Sequence, residues 1–401
     1  MLTRRDFIKS TGLLAAGTLL AGFPRLTFAD LPTDNRFILV ILRGALDGLA
    51  AVPAYADKSY AEQRKGLAFA MPGEPDGALD LNGFFGLHPS LEPLLVPFQT
   101  GQMAIIHAAA TPYRERSHFD AQNLLENGTT KPGGDTGWLN RALATMGGTA
   151  TSAIAMNSQV PLVLQGELQA ASWAPKKNQK NNENFMEKVS ALYKNDASLG
   201  PAFAEAMRAD ALVKSALPEE DLLSAGKAQG VDHLYGAARA AAIFLNQENG
   251  PRVAVLEAGG WDTHANQGTA NGQLANRLAD LGQGLGALPE LLQPIWRKTV
   301  VAVVTEFGRT VAENGTKGTD HGTGSAVFLM GGNINGGKVY GSWPGLDSGN
   351  LYQGRDLMPT TDMRSIFKTI LYAHLNAPKD KLESKIFPDS SDAAIFNGIV
   401  G

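Results

Sequence analysis

No cysteine occurs anywhere in the 401 residues. The chain therefore has no disulfide framework and no thiolate for catalysis, so its stability must come from buried apolar surface. Charge is sparse too. Asp, Glu, Lys and Arg make up 18% of the chain and sum to a formal −4, without the basic face that a nucleic-acid partner requires. Histidine is scarce at seven residues, so any that gather carry information. What the chain does have is 44% apolar residues and 45 glycines, which suits one large α/β unit with elaborated loops.

The first stretch reads as an address. Arg4 and Arg5 are followed by Phe7 and Lys9, and then by the apolar run TGLLAAGTLLAGF, which is too short for a membrane span. Thr27-Phe28-Ala29 offers small residues for cleavage before Asp30. The pattern resembles a twin-arginine export signal over residues 1–29, a receptor-read address and not an anchor. Export to the periplasm is expected, with no membrane span left after cleavage. Losing the segment removes four basic residues and one acid, leaving 31 basic against 38 acidic residues, or −7.

Residues 30–401 read as a single α/β domain. Apolar runs at 37–42, 103–108, 160–166, 252–258, 299–305 and 325–331 predict strands, and because they are apolar on both alternating faces they predict a doubly wound, mostly parallel sheet. Helical patterns fill 118–127, 200–215, 233–247, 273–292 and 361–375, the last with Thr361 as its cap. Residues 167–198 are polar, and 167–230 together predict a helical cap insertion.

In such sheets, sites form beyond the carboxyl ends of the strands, where loops converge. Three predicted strand ends carry chemistry: Arg43 to Gly48 (RGALDG), Gly259 to His264 (GGWDTH) and Thr305 to Arg309 (TEFGR). Asp262 and His264 are two apart, so in extended chain both face one side and can touch one cation. The plainer alternative is a turn in which Asp262 caps a backbone N–H. Asp320-His321-Gly322 adds a second couple, and here the alternative is an aspartate capping a turn. His118, His264 and His321 each lie within two residues of an aspartate. A mixed carboxylate and imidazole set suits zinc or manganese better than magnesium, with calcium as a further candidate.

Ser117, three before Asp120, predicts a helix N-cap with a capping-box acid. A hydroxyl at a helix N-terminus beside a cation is also a candidate nucleophile. Arg114 and Arg116, with Arg43 and Arg309, are candidates to clamp an anionic substrate, although surface ion pairs are the commoner role of such residues.

The export signal, the RGALDG, SHFDAQ, GGWDTH and TEFGRT motifs and the closing GTDHGTGSAVFLMGG together resemble the exported bacterial family known as domain of unknown function 1501. The likeness covers nearly the whole mature chain. That family is itself similar to the alkaline phosphatase and sulfatase superfamily, whose metal ligands sit at strand ends. The resemblance implies an alkaline-phosphatase-like fold with Asp47, Asp262, His264, Glu306, Asp320 and His321 as metal ligands. Two departures stand out. Asp320-His321-Gly322 arrives a loop after its strand, and Ala110 occupies the position where the sulfatase signature has cysteine. Any nucleophile is then a hydroxyl or a metal-bound water.

The expected function is metal-dependent hydrolysis of phosphate or sulfate esters, small anionic substrates, with Ser117 or water attacking and Arg309 and Arg114 neutralising charge. The rival expectation is a non-catalytic periplasmic binding or assembly protein that works with a protein partner.

Overall fold

The structure, a computed structural model, describes residues 31, 33–174, 183–196, 199–217 and 233–401. The expected export signal lies outside these residues. Among the described residues nine strands form one sheet. In chain order they are β1 (Arg36–Arg43), β2 (Met103–Ala110), β3 (Ala153–Ala155), β4 (Ala171–Ser172), β5 (Val253–Gly259), β6 (Thr299–Thr305), β7 (Ser325–Gly331), β8 (Lys338–Tyr340) and β9 (Thr361–Asp362). Across the sheet the order is β8-β2-β7-β6-β1-β5-β3-β4, with β9 also on β2. Central β1 runs parallel to β5 and to β6. Within this sheet β7 is the antiparallel member, paired with both β6 and β2.

The two-sided apolar pattern of β1 explains its place in the middle. Ile38, Val40 and Leu42 pack on one face with Leu234, Ala238, Leu278 and Leu285. Phe37, Leu39 and Ile41 pack on the other with Trp138, Leu139, Ile366 and Phe367. Each such side chain contributes about 1.5–3 kcal/mol on full burial, so a strand apolar on both faces is most stable with a helical layer on each side. The helices that supply those layers are α1 (Gly48–Ala51), α2 (His118–Asn127), α3 (Trp138–Thr145), α5 (Leu199–Ala216), α6 (His233–Leu245), α7 (Gln273–Leu291) and α8 (Met363–Thr369), while α4 (Glu183–Tyr193) packs against α5. The chain is thus an α/β protein with a mostly parallel sheet and helices on both faces. Among the described residues no helix is long and apolar enough to cross a membrane.

Three local expectations are corrected. The apolar run 160–166 is no strand: Leu162–Leu164 form a 3-10 turn behind Pro161, with Val163 and Leu164 fully buried. A short apolar run looks the same in either setting, and the strand in this region is Ala153–Ala155. Thr361 is not the cap of α8. It belongs to β9, and Asp362 caps the helix by accepting from the N–H of Arg364 at 2.8 Å. At α2, Ser117 has N-cap backbone angles but its side chain makes no capping bond, and Asp120 accepts instead from the Tyr113 hydroxyl at 3.1 Å. Of the expected insertion, α5 packs into the core through Val213 and Leu217 beside α6.

Candidate metal centre

The carboxyl ends of β2, β5 and β6 deliver the site. β5 runs out into Gly260-Trp261-Asp262, and the buried Trp261 pins this turn by donating its indole N–H to the Ala258 carbonyl at 2.9 Å. Gly44, after β1, packs against the same turn. Its φ is +119°, and a Cβ there would stand 2.7 Å from the Asp262 nitrogen, so only glycine lets the two loops touch. After β6 the chain turns back on itself. The N–H of Gly308 donates to Thr323, that of Gly322 to Gly308 and that of Thr310 to Asp320, at 2.8–2.9 Å. This antiparallel return brings Asp320 and His321 back to the strand end, which is why they arrive a loop later in sequence and yet at the same place.

Four side chains converge. His118 Nε2 and His321 Nε2 are 3.0 Å apart. Asp262 Oδ1 is 3.3 Å from His321 Nε2, and Oδ2 is 3.5 Å from His118 Nε2. His264 Nε2 lies 3.0 Å from both His321 Nε2 and Asp262 Oδ1. His118, Asp262 and His321 form a group able to hold an ion. Ligand atoms of a tetrahedral zinc site stand roughly 3.4 Å from one another, given metal–ligand bonds of about 2.0–2.1 Å. The 3.0 Å between the two imidazole nitrogens, and their 3.3 and 3.5 Å approaches to the two different oxygens of Asp262, are close to that value.

The other nitrogen of each imidazole decides what faces inward. His321 Nδ1 lies 2.9 Å from the Arg116 carbonyl, which can only accept, so Nδ1 carries the proton. His118 Nδ1 lies 2.8 Å from Glu306 Oε1, and His264 Nδ1 lies 3.1 Å from Asp320 Oδ1. Both acids are held below the usual carboxylate range. For Glu306, burial pushes upward but is outweighed by hydrogen bonds from His118 and Gln122 and from the Gly44 N–H. For Asp320, the Asn314 amide and His264 lower it. With every Nδ1 donating to an oxygen, neutral rings point bare Nε2 lone pairs at one another across 3.0 Å. Such a contact is repulsive unless a cation or a proton sits between the rings.

Without a metal, His118 is the ring suited to hold that proton. Its pKa is raised, chiefly by the hydrogen bond to Glu306, whereas that of His321 is lowered, first by burial. Asp262 is also lowered overall: burial opposes ionisation, but the bond and the charge of Arg309 prevail. Formally the carboxylates of Asp262, Glu306 and Asp320 against the one Arg309 guanidinium leave −2, which matches a divalent cation. The donor set of imidazole nitrogens and carboxylate oxygen fits zinc or manganese.

Of the expected ligands, Asp262, His264 and His321 meet here. Glu306 and Asp320 stand one step behind, each orienting an imidazole. Glu306 is fully buried, and its carboxylate also accepts from the Gly44 N–H at 2.8 Å and Gln122 at 3.1 Å, while Thr305 Oγ1, which donates to the Leu42 carbonyl, lies 3.0 Å from Oε2. Asp47 is placed beneath the site. Its Oδ1 caps α1 at the Ala50 N–H, and its Oδ2 accepts from Arg64 and Gln267, each at 2.7 Å. Gln267 in turn accepts from the Thr263 and Thr319 hydroxyls, and Thr319 holds Arg309. Asp47 thus reaches Asp262 only through intervening side chains.

Arg309 has no free face for a substrate. Its side chain is fully buried and donates to Asp262 at 2.5 Å and to the hydroxyl and carbonyl of Thr319. Arg43 is held by Glu126 and Glu257, and Arg116 by Asp356 and Gln353. Arg114 turns Nη1 onto the Thr111 and Tyr113 carbonyls of its own loop. The sequence singled out His118 together with His264 and His321, but the expected ligand set left it out. The available signal was an imidazole at the first position of a helix that follows a buried strand.

Residues 34–380 match the family described as protein of unknown function, DUF1501. The chain belongs to that family. No curated protein matches the DUF1501 chain. Among solved structures it is similar to the phosphonate monoester hydrolase of Agrobacterium radiobacter (10% identity, 86% of this chain and 74% of the other, TM-score 0.41). It is also similar to the alkaline phosphatase of the Antarctic bacterium TAB5 (14% identity, 74% and 91% covered, TM-score 0.35). A third is the zinc-complexed C-terminal periplasmic domain of EcEptC from Escherichia coli (10% identity, 76% and 75% covered, TM-score 0.35).

Proposed function

We propose that this DUF1501 chain is an exported, metal-dependent hydrolase of phosphate or sulfate esters. The observation that carries the reading is the ring of inward-facing His118, His264 and His321 Nε2 atoms, each imidazole held by the protein at its Nδ1, together with the Asp262 carboxylate, whose Oδ1 also accepts from Arg309. His118, Asp262 and His321 would hold the ion and His264 would flank it. A divalent ion bound there supplies Lewis acidity and lowers the pKa of a coordinated water. The protein's own groups hold this geometry: Glu306 and Asp320 keep protons on the Nδ1 atoms, and Arg309 keeps Asp262 ionised and aimed. Ser117, adjacent to His118 at the start of α2, is the hydroxyl available as nucleophile, with water as the alternative. Arg114, whose Nη1 is held by the Thr111 and Tyr113 carbonyls, is the remaining candidate to meet an anionic ester.

The inward engagement of Arg43, Arg116 and Arg309 favours the second reading, a metal-holding binding or assembly protein without turnover. One experiment separates the two. The purified protein is assayed for metal content and against a panel of aryl phosphates and aryl sulfates, alongside Asp262→Ala. Stoichiometric metal with turnover that Asp262→Ala abolishes supports the hydrolase. Turnover that survives Asp262→Ala refutes this site, and bound metal with no turnover on any ester leaves the binding reading.

A further inference from the structure

Each imidazole in the centre rests on an outer partner, but the partner of His321 differs in kind. His118 and His264 lean on carboxylates, whereas His321 leans on a main-chain carbonyl, that of Arg116. A carbonyl is only as well placed as the backbone that carries it, and this backbone is in an unusual state. Arg116 has φ of +60°, the left-handed region that costs a side-chain-bearing residue of order 1 kcal/mol and persists only where surroundings enforce it.

The enforcing surroundings are the turn from Tyr352 to Asp356. That turn is closed by paired main-chain bonds between its two ends, Tyr352 N–H to Asp356 at 2.9 Å and Asp356 N–H to Tyr352 at 3.1 Å. It forms a seat for the Arg116 guanidinium. Asp356 Oδ2 accepts from Arg116 Nε at 2.9 Å, Gln353 Oε1 accepts from Nη2 at 2.7 Å, and the Tyr352 ring lies 5.9 Å beneath. Asp356 is fully buried, where an ionised carboxylate is costly unless it is paired.

The same carboxylate reaches His321 along two further routes. Its Oδ2 accepts from the Thr323 hydroxyl at 2.8 Å, two residues beyond His321. Its Oδ1 lies 2.9 Å from Arg355 Nε, at ion-pair distance but poorly aligned for a hydrogen bond, and Arg355 Nη2 donates to the His321 carbonyl at 2.5 Å. Three routes from one buried acid thus fix the ring, the main chain and the following residues of His321.

We propose that Asp356 is the positioning residue of the His321 arm, setting the imidazole through Arg116 and the backbone through Arg355 and Thr323. This rests on the metal reading above. Outer partners of metal-binding histidines are typically worth ten- to hundredfold in metal affinity, and here that effect is relayed through a second residue.

The test uses the full chain, stripped of metal and titrated with zinc against a chromophoric chelator, with the visible spectrum of the cobalt form as a report on ligand geometry. The variants are Asp356→Asn, Arg116→Gly and the double variant, with Asp362→Asn as control. Asp362 pairs with Arg364 at the start of α8, so its loss weakens an acid–arginine pair that takes no part in the arm. Arg116→Gly keeps the carbonyl and is at ease at positive φ, so it reports even if Asp356→Asn fails to fold.

Asp356→Asn and Arg116→Gly should each weaken zinc about ten- to hundredfold and alter the cobalt spectrum. The double variant should be little worse than the poorer single one, because Asp356→Asn already breaks the path through Arg116 along with the other two. Asp362→Asn should leave zinc affinity unchanged. Wild-type affinity and spectrum in both single variants would overturn the proposal, as would fully additive losses or an equal loss in Asp362→Asn. Failure of the wild type to bind zinc or cobalt would instead overturn the metal reading and this inference with it.

Discussion

Replacing Glu306 by glutamine removes one charge from behind His118 with almost no change of shape. If the amide oxygen takes the place of Oε1, it keeps the three donors now at 2.8, 2.8 and 3.1 Å: the Gly44 N–H, His118 Nδ1 and Gln122. The new NH2 then faces Thr305 Oγ1, whose own proton is already directed to the Leu42 carbonyl at 2.7 Å, so it gains an acceptor. Folding should therefore survive. What is lost is the charge assistance on His118 Nδ1–H, which roughly halves the strength of that bond and makes Nε2 a poorer donor to a metal. A ten- to hundredfold loss of zinc affinity follows, about 1.4–2.8 kcal/mol. Glu306→Ala is the contrast. It strands the buried Gly44 N–H, at about 1–3 kcal/mol, and the half-buried His118 and Gln122 donors at less, so it should lower stability without metal by at least about 1 kcal/mol. Zinc competition at neutral pH together with denaturant melts of the metal-free proteins distinguishes the two effects. Wild-type zinc affinity in Glu306→Gln would show that His118 does not bind the ion through the nitrogen this acid tunes.

The buried histidines away from the site set an acid limit. Burial pushes His88, His107 and His374 from the ordinary 6.5 down to about 4, so between those values the unfolded chain takes up protons that the fold refuses. Stability is complete above about pH 6.5 and falls as pH drops towards 4, by up to about 3 kcal/mol per histidine, and urea midpoints across this window should show the loss. Gly44→Ala places a methyl against the Asp262 backbone at a glycine-only φ. It should cost about 1–3 kcal/mol and reduce zinc affinity, while a wild-type melt and affinity would refute the close packing of the two loops. Gln267→Leu cuts the link from Asp47 to Thr319 and leaves two buried hydroxyls without their acceptor. It should cost about 2–4 kcal/mol and loosen Arg309, and an unchanged unfolding midpoint would show that Asp47 does not support the site through this chain.

Most of the sheet was readable because its strands are covered on both faces and so appear as unbroken apolar runs. The failure at 160–166 has the same cause: Val163 and Leu164 are as buried as any strand residue, and three residues are too few for period to discriminate. At the site, pairs close in sequence were legible, since Asp262 and His264 share one loop. Roles were not. Asp47 follows a strand just as a ligand would, and only its distant partners Arg64 and Gln267 show it to be a support. Glu306 stands one shell back because His118, 188 residues away, occupies the inner position. The arginines looked available until their acceptors were seen, and nothing local in sequence announces that Arg309 will be spent on Asp262 and Thr319.

A cation at the meeting point of His118, Asp262 and His321 would also do mechanical work in a chain that lacks sulfur bridges. His118 and His321 are 203 residues apart, and His264 and His321 are 57. By the chain-entropy relation for covalent cross-links, pinning the longer span would remove about 5 kcal/mol of freedom from the unfolded ensemble. One ion could in that way act as a non-covalent staple across the rim of the sheet, making metal supply a determinant of how long the folded protein lasts as well as of what it does.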